Sequence, residues 1–259
     1  LLGIASAAEA GAELATLAEI LLGEPDFAVI ALGRFGLGDL GFGSDLDLVF
    51  VAAEGEGAAR RVQDRIAFWQ GLGLTIDARL RPMGRTGPIV TTPDGLREYF
   101  RSEAATWERI AWARARVLHA PAEWRESIEA AIREFVLERL WTDAEQAEMS
   151  AMREKIVLES GAKEDLKKGP GGMIDLDFTL AACRIETKMA SLMPEEILAD
   201  RPELLRGHRF LRTLEASAWI AAGRSWRPAS DESERLRIET VMSRHGLDPG
   251  DLQAVRRII

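Results

Sequence analysis

The sequence predicts an α+β fold, with a small mixed sheet and its helices first and an α-helical bundle domain after it, the boundary falling near residue 120 (residues 1–120 and 121–259). Three observations predict it. FAVIALG (27–33), DLDLVFVAA (45–53) and LTIDARLRP (74–82) are short apolar runs bounded by turn residues, which is the length and composition of strands. The segments around them space their apolar residues three and four apart, as helices do. From about residue 103 onward every segment has helical spacing, and no further strand is readable.

Taken in order, IASAAEAGAELATLAEILL (4–22) is rich in Ala, Leu and Glu and predicts a helix, ended by Gly23, Glu24 and Pro25. FAVIALG suits a strand buried on both faces. RFGLGDLGFGS (34–44) is a glycine-rich turn, DLDLVFVAA returns as a strand, and Glu54 to Gly57 turn the chain again. ARRVQDRIAFWQ (59–70) is helical through Val62, Ile66 and Trp69, and LTIDARLRP is a third strand closed by Pro82. Asp94 is expected to cap a helix running through Tyr99. ATWERIAWARARVL (105–118) and EWRESIEAAIREFVLERLW (123–141) read as helices, and GAKEDLKKGPGG (161–172) as a basic, glycine-rich break. Helices resume with MIDLDFTLAACRIETKMASL (173–192) and are separated further on by Pro194, Pro202, Pro228 and Pro249.

Composition narrows the function classes. Of 259 residues, 42 are acidic and 33 basic, a net charge of −9 that argues against a general affinity for nucleic acid or anionic membrane. A single cysteine, Cys183, cannot form an intramolecular disulfide and fits a reducing, cytoplasmic setting. No apolar run approaches the roughly 20 residues that span a bilayer, and no charged segment precedes the apolar start as in a signal peptide. The chain opens on Leu1-Leu2, so it reads as an excised piece of something longer.

The chemistry concentrates in the strands. Asp45 and Asp47 share one face of the second strand, with Leu46, Leu48 and Phe50 on the other. Two carboxylates so close raise each other's pKa unless a cation lies between them. Asp77 stands on the third strand, with Arg79 and Arg81 at the same parity. If the two strands are neighbours, three carboxylates meet beside two guanidiniums. Three carboxylates make a hard oxygen site for Mg2+, and the guanidiniums suit phosphate oxygens unless they merely pair with the acidic cluster. The glycine turn, with Gly33, Arg34, Gly43 and Ser44 at its ends, would add backbone N–H groups for the same anion. Its spacing matches neither GxGxxG nor GxxxxGK[ST]. His119, His208 and His245 are scattered and read as surface or packing residues. Lys167 and Lys168 in the basic break either meet phosphate or belong to a connecting turn, the latter slightly favoured. Asp175 and Asp177 lie two apart on a helix and so face different ways.

ALGRFGLGDLGFGSDLDLVF, IDARLRPMGRTGPIVTT, TWERIAWARARVL and KKGPGGMIDLDF, in that order, resemble successive motifs of the glutamine synthetase adenylyltransferase family, within the polymerase β-like nucleotidyltransferase superfamily. The likeness runs from residue 27 to about 180. It implies an enzyme of two such units, one attaching AMP from ATP to a tyrosine of glutamine synthetase and the other removing it phosphorolytically, with PII signalling protein and glutamine as effectors. LGFGSDLDL and GGMIDLDF are closer to the adenylylating half. The resemblance implies Asp45, Asp47 and Asp77 as the metal-binding and catalytic carboxylates, with Mg2+ as cofactor and ATP as substrate. Gly33, Arg34, Gly43, Ser44, Arg79 and Arg81 are the implied nucleotide-binding residues. In the shared helix motif, Trp107, Glu108, Arg114 and Arg116 either dock a helix on the sheet or contact nucleotide. The chain departs from the family where Phe35 precedes Gly36 in place of a first glycine, and where Asp177 replaces a glutamate. The alternatives left open are AMP removal, a nucleotide- or effector-sensing module without turnover, and nucleotidyl transfer to a small molecule.

Overall fold

In the computed structural model, residues 6–53, 57–160, 165–223, 232–244 and 246–259 are described. Among them the elements run α1 (Ala7–Leu22), β1 (Ala28–Ala31), α2 (Gly33–Gly36), β2 (Leu46–Val51), α3 (Ala58–Gly71), β3 (Ile76–Asp77), β4 (Val90–Thr91), α4 (Pro93–Ser102), α5 (Thr106–Trp112) and β5 (Arg116–His119). Then come α6 (Ala122–Arg133), α7 (Asp143–Ser160), α8 (Met173–Thr187), α9 (Pro194–Ile197), α10 (Pro202–Ala222), α11 (Glu232–Ser243) and α12 (Leu252–Arg256). Residues 54–56 of the turn expected at Glu54 to Gly57, most of the first half of the 161–172 break, Pro228 and His245 lie outside the described residues.

The sheet is small and mixed. Its order is β3-β2-β1-β5, with β4 also pairing β2; β1 is antiparallel to β2 and β5, and β2 is parallel to β3 and β4. Strand alternation sorts its apolar residues into two cores. Ala28, Ile30, Leu32, Val49 and Val51 face α4, α5, α6 and α8, where Phe100, Trp112, Phe135 and Ile185 pack. Val29, Ala31, Leu48 and Phe50 face α1 and α3, closed by Phe27 and Trp69. The Trp69 indole N–H donates to the Leu22 carbonyl (3.1 Å), so this large ring is buried with its polar atom satisfied. A third core, around Leu176, Leu180, Cys183, Leu211, Leu214, Ile238 and Met242, joins α8, α10 and α11.

Four expectations are corrected. The helix read through residue 118 stops at Trp112, and residues 116–119 form β5. Its alanines and arginines tolerate a helix, but Val117 enters the first core and Leu118 the second, which only strand alternation allows. The third strand is two residues long, because the Arg79 backbone N–H turns back to Asp77 Oδ1 (2.8 Å) and ends the extended run. Arg79 and Arg81 therefore do not share a strand face with Asp77. The cap of α4 is Thr92, whose hydroxyl accepts from Gly95 N (2.9 Å) with Pro93 at the first helical position, while Asp94 lies inside the first turn. The helix read through 141 changes at Arg133 into a π-helical turn, Glu134–Glu138.

Arg109 explains how that turn is tolerated. Its side chain is 0% exposed, and it donates to the carbonyls of Val136, Arg139 and Leu140 and pairs with Glu145 (3.1 Å). Glu145 also meets Arg139, so a buried cation and its carboxylate close the π turn. Arg184 acts similarly at the end of α8, donating to the carbonyls of Ala113, Met189, Ala190 and Ser191. Burial lowers its pKa to about 10.

A second ionic cluster ties the glycine-rich turn to the later helices. Arg34 Nη1 meets Glu215 Oε2 (2.5 Å), Arg212 Nε lies 2.9 Å from Asp39 Oδ2, and Arg114 Nη1 lies 2.9 Å from Asp177 Oδ2. His208 is 6% exposed beside them and, among the described residues, has no hydrogen-bond partner on either ring nitrogen. Burial above all, then Arg212, holds its pKa down to about 4.

Two predictions follow from these groups. Replacing Arg109 by Met should leave the π-turn carbonyls and Glu145 short of a partner and cost about 3–5 kcal/mol, read from the urea midpoint. His208 is neutral in the folded chain and titrates near 6.5 when unfolded, so its contribution is present above pH 6.5 and is lost as pH falls towards 4. Asp47, raised to about 6, has the opposite sign over this interval. The difference between the wild type and His208→Gln therefore isolates His208, and the variant should lose less stability on acidification, by roughly 1–3 kcal/mol.

Candidate functional site

The site forms where β1 ends. Leu32 N donates to Asp47 O (2.9 Å), and the chain then turns at Gly33 with φ +56°. A Cβ on Gly33 would lie 2.3 Å from Asp47 Oδ2, so the bare α-carbon makes room for the carboxylate. Asp47 is set in register with Asp77 across the parallel β2/β3 pair. Asp45 is exposed and lies just before β2, while Leu46, between the two aspartates, is buried. The structure thus brings Asp47 and Asp77 side by side at one end of the sheet, with Asp45 at the start of the same strand.

Electrostatics separate the roles of these carboxylates. Burial is the main cause that pushes Asp47 up to about 6; Asp77 and Asp45 add to it, and Arg114 and Lys167 pull it back. For Asp77, burial also pushes upward, but hydrogen bonds from the Arg79 side chain and backbone outweigh it and hold the carboxyl below its usual range. Arg79 Nε donates to Asp77 Oδ2 (2.6 Å).

The other expected contacts have different surroundings. Arg34 is half-buried and uses Nε on the Asp39 carbonyl (2.9 Å) and Nη1 on Glu215, which holds the glycine turn against α10. Arg81 donates to the carbonyls of Ala78 (2.7 Å), Arg85 (3.0 Å) and Gly87 (3.1 Å), so it shapes the loop after β3. Gly43 lies against the Trp219 ring, and the Ser44 hydroxyl accepts from Gly41 N (3.1 Å). Phe35, the departure from the resembled motif, is buried in the second core. Gly36 is the position that the local packing keeps bare, since its Cβ would fall 1.8 Å from the Arg114 carbonyl. Asp175 pairs with Arg153 and Asp177 with Arg114, so the two face different partners as their spacing on a helix requires.

Arg114 and Lys167 act on Asp47 but were not assigned to it from the sequence. For Arg114 the missing signal was β5. The register Ile30↔Val117, Ala31↔Arg116 brings the residues just before β5 to the end of β1, and the Arg114 carbonyl lies against Gly36. Lys167 precedes α8 in the basic break, and no local pattern ties it to β2.

Among the described residues no group of three or more His, Cys, Asp or Glu is arranged as a ready metal cage. The donor chemistry nevertheless suits a hard divalent cation: Asp47 is a half-buried carboxylate whose charge is opposed by its two aspartate neighbours, and all three offer only oxygen.

The close approach at Gly33 gives a direct test. Gly33→Ala should lose about 1–2 kcal/mol to the left-handed backbone and displace the Asp47 carboxylate. The unfolding midpoint reads the first effect. A chemical shift change at Asp47 in carboxyl-labelled NMR spectra reads the second, and an unmoved signal would contradict the geometry.

The family described as glutamate-ammonia ligase adenylyltransferase matches residues 5–75 and 70–131. Among similar proteins, a bifunctional glutamine synthetase adenylyltransferase/adenylyl-removing enzyme of Psychromonas ingrahamii is 28% identical over 255 residues, covering 83% of this chain and 27% of that protein. Proteins of the same description from Rhodopseudomonas palustris are 34% identical: over 173 residues in strain CGA009 (58% of this chain, 18% of that protein), and over 194 residues in strain HaA2 (66% and 19%). The chain spans about a quarter or less of the length of these relatives. The matched region carries the glycine turn, the aspartate strand and the Asp77 strand described above, and the chain belongs to the glutamine synthetase adenylyltransferase family.

Proposed function

We propose that this chain is a nucleotidyltransferase unit that moves AMP from ATP to a tyrosine of glutamine synthetase. The observation that carries the reading is the pairing of Asp47 with Asp77 over the bare α-carbon of Gly33. Family membership and the names of the relatives support it.

In this reading residues 1–120 form a polymerase β-like nucleotidyltransferase domain and residues 121–259 an α-helical bundle domain. Asp45, Asp47 and Asp77 would hold Mg2+, which when bound supplies positive charge to the triphosphate. Gly33, Gly43 and Ser44 frame the turn facing the nucleotide, and Arg34 and Arg81 keep the flanking loops in shape. Asp77, kept ionised by Arg79, accepts the proton of the tyrosine hydroxyl. The tyrosine oxygen forms a bond to the α-phosphorus, the bond to the β-phosphate oxygen breaks, and pyrophosphate leaves. LGFGSDLDL and GGMIDLDF favour attachment over removal. Control by PII signalling protein and glutamine, and a cytoplasmic setting, belong to the same reading.

The test is incubation with glutamine synthetase, magnesium and ATP labelled at the α-phosphate. Label should appear on the synthetase, and Asp47→Asn and Asp77→Asn should each reduce the rate by about 100-fold or more. Transfer that survives both changes would overturn the assignment. ADP released from adenylylated synthetase and phosphate, with no forward transfer, would reverse the direction.

A further inference from the structure

We infer that Arg114 is the guanidinium that takes the nucleotide's phosphate at this site, and that Asp177, reaching across from α8, is the residue that positions it. This rests on the nucleotidyl-transfer reading and names the cation that serves it.

The three arginines that the resemblance implies as nucleotide-binding residues all have their guanidiniums engaged by protein. Arg81 is spread over three backbone carbonyls, Arg34 is held by Asp39 and Glu215, and Arg79 lies on Asp77. Arg114 differs. It comes two residues before Arg116, which pairs with Ala31 at the end of β1, and Gly33, two residues after Ala31, lies against the Asp47 carboxylate. The Arg114 carbonyl is pressed on Gly36, so the backbone here is fixed to the start of the glycine turn. Its side chain is 14% exposed; among the described residues Nη1 has a carboxylate partner, Asp177, and Nε has no hydrogen-bond partner. The charge of this guanidinium acts on Asp47 itself. A guanidinium fork with part of its donor set unspent, next to a metal-type carboxylate, matches a phosphate oxygen.

Asp177 is placed to aim that fork. One oxygen holds Arg114 Nη1 at 2.9 Å; the other lies 3.8 Å from Arg212 Nη2, and Arg212 is fixed in turn by Asp39 at 2.9 Å. Removing the Asp177 charge would leave Arg114 without its carboxylate partner and free to swing towards Asp47. Asp177 touches no substrate in this scheme; it is a positioning residue.

The experiment measures dissociation constants of the full chain, with magnesium present, for ATP, tripolyphosphate and adenosine, by calorimetry and competition. Arg114→Lys and Asp177→Asn should each weaken ATP and tripolyphosphate about 10- to 100-fold and leave adenosine unchanged. Asp177→Glu, which keeps the charge, should recover most of the loss. Equal weakening of adenosine and ATP would mean a general structural defect and overturn the inference. Unchanged ATP binding in Arg114→Lys would overturn it while leaving the nucleotidyl-transfer reading intact. A wild-type chain that binds neither ATP nor tripolyphosphate would remove both. Should Arg114→Lys not fold, the Asp177→Asn and Asp177→Glu pair decides by the same comparison.

Discussion

A half-buried carboxylate laid against a glycine is the constraint from which the rest of this site follows. Asp47 has to lie at the end of β2, its charge opposed by burial and by Asp77 and Asp45. It fits only because β1 ends in a residue without a side chain, turned into the left-handed region. Both strands are buried on both faces along their central residues, so neither can shift register to relieve the crowding without moving two cores at once. The strain of bringing like charges together is met by the packing of the sheet around them.

The glycine-rich turn then needs an anchor of its own, since little of it packs in the core apart from Phe35, Leu37 and Leu40. Its anchor is ionic. Arg34 and Asp39 from the turn interlock with Arg212 and Glu215 from α10, and Arg114 with Asp177 from α8. Buried pairs of this kind contribute little net stability, because desolvation offsets most of the attraction. What they do supply is geometry: each charge has a specified partner, and the turn, the approach to β5 and the helices are held in one arrangement. His208, neutral within this cluster, occupies space among the charges without adding one.

The central strands were legible because their apolar residues alternate without ambiguity: Val29 and Ala31 against Ile30 and Leu32, Leu48 and Phe50 against Val49 and Val51. Asp47 and Asp77 meet in register across β2 and β3, an adjacency that alternation leaves conditional, while Asp45, read on the same strand face, lies just before β2. β5 was not legible, since ARARVL has helix-forming residues and its extended form is imposed by pairing with β1. The third strand was overextended because Arg79 and Arg81 look like strand residues by parity, while their hydrogen bonds to Asp77, Ala78 and Gly87 curl the chain. Arg34, placed at the turn by sequence, reads as a phosphate contact until its distant partner Glu215 is seen, 181 residues away. Long-range ion pairs leave no periodicity, and this is where sequence reasoning stopped.

A site of this construction separates two tasks that a single cation would perform poorly. Cations that fix loops must be paired, as the half-buried Arg34 and Arg81 are, and each guanidinium donor spent on a protein acceptor is lost to a ligand. A cation that meets a ligand must keep donors in hand while remaining oriented, which requires one firm partner rather than several. Arg114 with Asp177 meets that condition, and Arg79 with Asp77 does not, because there the partner is itself one of the carboxylates on which the chemistry would depend. The consequence for the fold is that α8, remote from the sheet in sequence, belongs to the same working unit as β1 and β2. Moving α8 relative to the sheet would change the direction of Arg114 before it disturbed any of the three aspartates.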